Sequence, residues 1–141
     1  MARVKINPPK NFVYYHQLVV RVTDLNYGNH LANENLLAYA QEVRVNWLAK
    51  NKRSELDFWG TSLIQGDAAI VYKSEGFLGN RITIGLAVED LGNSSFDLVC
   101  EMYNETTKSP LALVKTGMVC FDYDARKVNP VPQEFQDLVS S

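Results

Sequence analysis

The most regular pattern of apolar positions in the chain lies between residues 33 and 50. Four apolar residues recur there at spacings of four, three and four, with no glycine or proline between them: Leu36, Ala40, Val43 and Trp47. This spacing predicts an α-helix over residues 33–50 that buries one apolar face. Asn33 belongs to a residue type that caps helix N-termini. Glu34, in the first turn, suits the positive end of the helix dipole.

Most of the remaining chain carries shorter runs of β-branched and aromatic residues, which are typical of β-strands. Five such runs are predicted strands: residues 12–23, 62–74, 81–91, 95–104 and 111–123. Short segments with turn signals, residues 75–80, 91–94 and 105–110, separate the last four, so we expect these strands to form an antiparallel meander. Residues 132–139 are expected to form one short helix.

The elements follow the order strand, long helix and four further strands, with no linker or internal repeat between them. This order is typical of the α+β class. Because the helix has to bury its apolar stripe and the sheet has to bury one face, we expect the antiparallel sheet to wrap around the helix. The length of 141 residues fits a single domain over residues 1–141.

Composition and charge exclude several classes of protein. Hydrophobic residues make up 46% and charged residues 21% of the chain, which is typical of a globular protein and not of a disordered one. A net charge of -2 offers no basic face for nucleic acid. No apolar run approaches the ~20 residues of a membrane span, and the N-terminal residues lack the apolar core of a signal peptide. We therefore expect a cytoplasmic protein with no nucleic-acid or membrane partner.

The two cysteines, Cys100 and Cys120, lie in apolar runs with the pattern of strands. Free cysteine is among the most buried residue types, so both are predicted to be reduced and buried. No Cys-x-x-Cys motif and no Cys/His cluster with zinc spacing occurs in the sequence, so we predict neither a metal site nor a cofactor.

A polar loop joins the first predicted strand to the helix and carries the most specific motif in the chain. It reads Asp24-Leu-Asn-Tyr-Gly-Asn-His-Leu-Ala-Asn33. This segment resembles the signature Asp-x-Asp-x-x-Gly-His-x-Asn-Asn of the 4-hydroxybenzoyl-CoA thioesterase-like family. In the helix, Glu42-Val-Arg44 resembles the Glu-Ala-Arg of the same family. The similarity runs from residue 15 to about residue 132, and residues 20–44 are its specific part.

The resemblance implies a hot-dog fold, in which an antiparallel sheet wraps around one long central helix. It also implies hydrolysis of an acyl thioester, with acyl-CoA or a related thioester as substrate, at the subunit interface of a homodimer or tetramer. The sequence departs from the signature when Asp24 and His30 are aligned with it. The family's second aspartate, usually its catalytic carboxylate, then falls on Asn26. The family's glycine falls on Asn29, and the first asparagine of its pair falls on Ala32.

Hydrolysis of a thioester needs hydrogen-bond donors for the developing oxyanion, and a carboxylate that attacks the carbonyl or activates water. The N-terminus of a helix offers free backbone N–H groups and the positive end of a dipole. The turn that leads into the predicted helix is therefore the expected oxyanion and substrate-binding site. Its substrate-binding candidates are Tyr27, Gly28, Asn29, Leu31 and Asn33. For Tyr27 the alternative is simple packing.

Four residues are candidates for catalysis: Asp24, Asn26, His30 and Glu42. Asp24 could supply the carboxylate, or could only bond nearby backbone N–H groups. Asn26 could orient water or could serve the turn alone, and a neutral His30 could polarise the carbonyl or be structural. Glu42 could be catalytic or part of a buried ion pair. Glu34 is one more carboxylate, whose alternative role is to complement the helix dipole.

Two further functions stay open at this point. A non-catalytic acyl-CoA-binding module would keep the pocket without the base, and the asparagine at position 26 favours it. An acyl-thioester hydratase or dehydratase would pair a histidine with a carboxylate, and His30 with Asp24 or Glu42 could supply that pair. His16, in the first predicted strand, is expected to be structural.

Overall fold

The structure, a computed structural model, describes residues 3–140 of the chain. Its strands are β1 (Tyr14–Val19), β2 (Ser62–Tyr72), β3 (Arg81–Glu89), β4 (Ser95–Asn104), β5 (Ser109–Asp122) and β6 (Lys127–Val128). Its helices are α1 (Asn35–Lys50) and α2 (Gln133–Ser140), with a short 3-10 helix, Val22–Asp24, between β1 and α1. The predicted domain includes residues 1, 2 and 141, which lie outside the described range, and the division into one domain stays a prediction.

The strands form one antiparallel sheet in the order β1-β3-β4-β5-β2, and the short β6 pairs with β5. β3, β4 and β5 are neighbours both in sequence and in the sheet, as a meander requires. β2 follows α1 in the chain but pairs with β5, at the opposite edge from β1. The connection that contains α1 therefore runs from one edge of the sheet to the other. The predicted α+β class and hot-dog arrangement are confirmed.

α1 packs its apolar stripe against one face of the sheet. Its buried residues recur with helical spacing: Leu36, Tyr39, Ala40, Val43, Trp47 and Leu48. The facing strands contribute alternate side chains: Ile82, Ile84 and Leu86 from β3, Leu98, Cys100 and Met102 from β4, and Val114 and Met118 from β5. Alternation with period 2 turns every second strand residue toward the helix. Full burial of each large aliphatic side chain stabilises the fold by about 1.5–3 kcal/mol.

The C-terminal helix α2 packs on this core through Phe135, which is buried, and Val139, which is partly buried. The Phe135 ring is fully buried, and its centroid lies 4.6 Å from that of Phe96 and 4.8 Å from that of Phe58. Trp47 of α1 contacts the same ring edge-on at 5.9 Å. This cluster closes the end of the core that lies near the C-terminus of α1.

Two predicted boundaries were wrong, and both lie beside the polar loop. The chain leaves the sheet after Val19, because the Arg21 backbone N–H donates to the Asp24 carboxylate at 2.9 Å. A local bond of this kind competes with the hydrogen bonds of a strand. Glu34, not Asn33, occupies the N-cap position, and no side-chain cap hydrogen bond is made there. The start of α1 is held instead by Asn35, whose side-chain amide donates to the Asp24 carbonyl at 2.7 Å.

The other element boundaries agree with the predictions to within two residues. Cys100 and Cys120 are free and buried, as predicted. None of the helices within residues 3–140 has the length and apolar composition to cross a membrane.

Candidate functional site

The loop between β1 and α1 forms a tight turn around Asn26. The Asn26 carbonyl accepts a hydrogen bond from the Asn29 N–H at 3.0 Å, and the Asn26 N–H donates to the His30 carbonyl at 3.0 Å. The Asn26 side-chain oxygen accepts from the Gly28 N–H at 2.9 Å. Asn29 has a φ of 68°, in the left-handed region that favours glycine and tolerates asparagine. The backbone at this position therefore has a conformation that glycine adopts without strain.

Asp24 ties this loop to the first two turns of α1. Its carboxylate Oδ2 accepts hydrogen bonds from the Tyr39 hydroxyl at 2.8 Å, the Arg21 N–H at 2.9 Å and the Arg21 Nε at 3.3 Å. Its carbonyl accepts from the Ala32 N–H at 3.0 Å and from the Asn35 amide. Asn35 and Tyr39 lie one turn apart on the same face of α1. Asp24 therefore sets the position of the loop relative to the helix.

The surroundings of Asp24 stabilise the ionised form of its carboxylate. Burial by itself would raise the pKa of Asp24, but the hydrogen bonds from Arg21 and Tyr39 outweigh it and hold that pKa below its ordinary value. Burial is the main cause that raises the pKa of Tyr39, and the neighbouring Asp24 carboxylate raises it further. The Tyr39 hydroxyl therefore stays protonated and donates. Asp24 is buried and does not line the cleft described next. A catalytic role for this carboxylate stays a prediction.

A cleft of about 410 Å³ opens between this loop, the start of α1 and the segment that follows β2. Its polar lining comes from Asn26, His30, Asn33, Lys73, Ser74 and Glu75, and its apolar lining includes Leu31, Leu36 and Leu111. The cleft thus joins a polar mouth to the apolar side chains at the edge of the core. Such a mixed lining suits a ligand with an apolar group and a polar reactive group.

Two backbone donors at the start of α1 are unoccupied. The Ala32 N–H donates to the Asp24 carbonyl, and the Asn35 N–H donates to the Ala32 carbonyl. Between them, the N–H groups of Asn33 and Glu34 donate to no atom within residues 3–140. Asn33 lines the cleft. Both free donors therefore lie where the helix dipole is positive, and one of them belongs to a residue of the cleft wall.

Backbone contacts join the two walls of the cleft. The Leu31 N–H donates to the Gly76 carbonyl at 2.7 Å, and His30 forms an isolated antiparallel bridge with Phe77. The His30 ring packs edge-on against the Phe77 ring, with centroids 6.2 Å apart. Neither ring nitrogen of His30 makes a hydrogen bond within the described residues, so both can serve a ligand in the cleft.

Glu42 lies on the same face of α1 as Asn35 and Tyr39, and it does not line the cleft. Its Oε2 is 2.7 Å from His16 Nε2 on β1, and its Oε1 is 3.8 Å from Arg21 Nη2. The pair of His30 with Asp24 or Glu42 that a hydratase would use is not formed in the described part of the chain, where both carboxylates bond to other partners. The contact of Glu42 with His16 agrees with its alternative reading as an ion pair, and its catalytic role stays a prediction.

The remaining substrate-binding candidates divide into two groups. Leu31 and Asn33 line the cleft. Tyr27 is fully exposed at the tip of the turn, so it neither lines the cleft nor packs against other side chains. Gly28 and Asn29 shape the turn and do not line the cleft either. A contact of these three with substrate stays a prediction. Within residues 3–140 no three His, Cys, Asp or Glu side chains are grouped to hold a metal ion.

The sequence-based candidates missed one whole wall of the cleft. Residues 72–76, from the end of β2 onward, line it opposite the loop. Tyr72-x-x-Glu75 before a turn also fits the family resemblance, but no residue of this segment was named as a site residue. The available signal was the pair of charged residues Lys73 and Glu75 directly before the turn glycine, but nothing local indicates which loop they face.

Comparison with known proteins agrees with this geometry. A family model for the thioesterase-like superfamily matches residues 20–139, whereas no curated protein sequence matches the chain. A 1,4-dihydroxy-2-naphthoyl-CoA thioesterase from Synechocystis is 20% identical with a TM-score of 0.82, over 91% of this chain and 96% of that chain. A DHNA-CoA thioesterase from Staphylococcus aureus is 18% identical with a TM-score of 0.75, over 87% of this chain and 83% of that chain. Another Staphylococcus aureus protein, solved in complex with CoA, is 16% identical with a TM-score of 0.79, over 96% of this chain and 86% of that chain.

Proposed function

This chain belongs to the thioesterase-like superfamily, and from that premise we propose that it hydrolyses an acyl thioester, such as an acyl-CoA, to a free acid and a thiol. One observation carries the proposal. The cleft begins at the N-terminus of α1, where the backbone N–H groups of Asn33 and Glu34 are free to bind an anionic oxygen.

The reaction needs this arrangement because negative charge develops on the thioester carbonyl oxygen when water attacks. Two unoccupied N–H groups and the positive end of the helix dipole stabilise that charge without having to rearrange. Removal of one such donor typically lowers the rate by about 10²–10³-fold. The thiolate is a good leaving group, so stabilisation of the oxyanion and activation of water are the main tasks for the protein.

Asn26 and His30 are suited to orient the substrate and the water. The Asn26 side-chain oxygen is engaged by the Gly28 N–H, so its NH₂ group remains as donor toward the cleft. A neutral His30 offers one ring N–H as donor and one ring nitrogen as acceptor. Leu31, Leu36 and Leu111 supply an apolar surface for the acyl group.

CoA is the thiol carrier that we propose, and the structural likeness to a protein solved with CoA supports this choice. We also propose that the protein acts as a homodimer or tetramer. β2 is an edge strand of 11 residues, and an edge strand offers unpaired backbone groups to a second copy. The cytoplasmic location stays a prediction.

The first test is release of free thiol from short, long and aromatic acyl-CoAs by the purified protein. Turnover above the background on one class supports hydrolysis and identifies the acyl group. Asn33→Pro then removes one free N–H without breaking any internal hydrogen bond, and it is expected to lower kcat by about 10²–10³-fold. Asn33→Ala keeps the N–H and is the matched control, with circular dichroism to check that both variants fold.

A non-catalytic acyl-CoA-binding module is the second candidate. It is favoured by the amide of Asn26 in the loop and by the Asp24 carboxylate, which is occupied by Arg21 and Tyr39. The same panel separates the two functions. Absence of thiol release for every acyl-CoA, together with binding measured by calorimetry, would favour the binding module over the hydrolase.

A further inference from the structure

Hydrolysis in the cleft needs a group that takes a proton from water, and the acidic candidates from the sequence do not line it. Asp24 is buried, and its Oδ2 accepts three hydrogen bonds. Glu42 does not line the cleft and is paired with His16 and Arg21. Asn26 lines the cleft, but a carboxamide has no basic site at neutral pH. The side chains of the cleft lining that can accept a proton are therefore the imidazole of His30, to which the proposed function gives the task of orienting substrate and water, and the carboxylate of Glu75.

Glu75 is the one acidic side chain among the described residues that line the cleft. Its carboxylate makes no ion pair or hydrogen bond within residues 3–140, in contrast to those of Asp24 and Glu42. A carboxylate without internal partners is free to accept a proton from water. Glu75 also lies on the wall opposite the loop of Asn26 and His30, so water between the walls can meet both sides.

The backbone on both sides of Glu75 is held in position. The N–H groups of Lys73 and Ser74 donate to the Leu111 carbonyl at 2.9 and 3.2 Å, and the Ser74 hydroxyl donates to the Pro110 carbonyl at 2.6 Å. After Glu75, the Gly76 carbonyl accepts from the Leu31 N–H at 2.7 Å. These hydrogen bonds fix the backbone position of Glu75 and leave its carboxylate free.

We propose that Glu75 is the general base that activates water for thioester hydrolysis, an inference that rests on the proposed function. The Glu75 carboxylate takes a proton from water, and the water oxygen forms a bond to the thioester carbonyl carbon. The resulting oxyanion is held by the N–H groups of Asn33 and Glu34. Collapse of this intermediate breaks the C–S bond, and the leaving thiolate receives the proton that Glu75 carries.

The other polar residues on this wall are less suited to the same task. The ammonium group of Lys73 donates hydrogen bonds and has no acceptor site. The Ser74 hydroxyl is engaged with the Pro110 carbonyl, so it is not poised as a nucleophile. Lys73 is suited instead to attract an anionic substrate into the cleft.

The test compares Glu75→Gln with wild type on the acyl-CoA that wild type hydrolyses. General base catalysis contributes about 10²–10⁴-fold, so kcat should fall by this factor while KM and the calorimetric affinity for the acyl-CoA are kept. Glu89→Gln, an exposed glutamate at the end of β3, is the matched control and should keep the wild-type kcat. Added formate should restore part of the kcat of Glu75→Ala, because a small carboxylate can enter the space left by the side chain.

The outcomes separate this inference from the proposed function. If wild type hydrolyses an acyl-CoA and Glu75→Gln retains its kcat, the assignment of Glu75 is overturned and the hydrolase stands. If Glu75→Gln raises KM alone, or formate leaves Glu75→Ala unchanged, Glu75 binds substrate and is not the base. If wild type hydrolyses no acyl-CoA, the proposed function fails and this inference falls with it.

Discussion

Tyr39→Phe removes a single hydroxyl from the buried contact that ties the β1–α1 loop to the helix. Tyr39 is 1% exposed and Asp24 is 7% exposed, and the hydroxyl donates to Oδ2 at 2.8 Å. The phenyl ring fills the same space, so the packing is kept. A hydrogen bond to a charged group contributes about 1.5–3 kcal/mol. We expect Tyr39→Phe to lower the free energy of unfolding by that amount, which corresponds to roughly 6–12 °C in Tm for a chain of this size.

The effect should depend on pH in a definite direction. The pKa of Asp24 is lower in the folded protein than in the unfolded chain. Its contribution to stability is therefore fully present above the unfolded pKa of ~3.9 and is lost as the pH falls through the folded pKa. Below the folded value Tyr39 no longer faces a charged acceptor. The difference in stability between wild type and Tyr39→Phe should narrow across this acidic window and stay constant at neutral pH.

Urea unfolding followed by circular dichroism measures this difference in stability. The protein concentration has to be the same for both proteins, because association with a second copy would shift the unfolding midpoint. Tyr123→Phe, at a tyrosine that is 51% exposed, is the matched control and should change stability by less than about 0.5 kcal/mol. A double-mutant cycle with Asp24→Asn isolates the pair. A loss at Tyr39 no larger than that of the control, or strictly additive losses in the cycle, would refute the reasoning.

Two further predictions concern the cleft and the core. In Gly76→Ala the added Cβ would lie 3.0 Å from Leu31 Cδ2 and 3.2 Å from Leu31 Cβ, so we expect a loss of about 1–3 kcal/mol in urea unfolding and a lower kcat as the two walls move apart. Burial raises the pKa of the Cys100 thiol to about 12 and that of the Cys120 thiol to about 11. Neither thiol should therefore react with a thiol reagent in the folded protein at neutral pH, whereas both should react after unfolding.

Each of these predictions has its own check. Gly92→Ala, whose added Cβ would meet nothing nearer than 3.5 Å, is the control for Gly76→Ala. Equal stability of the two variants would contradict the close packing of Gly76 on Leu31. Fast labelling of either cysteine in the folded protein would contradict its burial, and would also add a background to the free-thiol assay.

Several features of the site could be predicted because their signals are local. The polar turn before α1 follows from a short polar run, and the approach of the loop to the start of α1 follows from its position between strand and helix. The early end of β1 also had a local cause, since Arg21 and Asp24 are only three residues apart. That signal was present in the sequence and was outweighed by the strand pattern of residues 12–23.

The contacts that decide the chemistry had no such signal. His16 and Glu42 bond to each other across a separation of 26 residues. Glu75 faces the loop of Asn26 and His30 from beyond the far end of β2. Their spacing along the chain says nothing about which of them share a surface, because that depends on how α1 crosses the sheet and on which strand β2 joins.

The sequence by itself determined the helix, the strands, the class of fold and the loop at which to look for a site. These depend on periodicity, on turn-forming residues and on side chains that bond to their own neighbourhood, all of which act over a few residues. Only the tertiary structure decided that Asp24 is a buried anchor, that Glu42 pairs with His16, and that Glu75 lines the cleft. Those assignments depend on which segments pack together, because burial and pairing of a charge are set by neighbours distant in the chain.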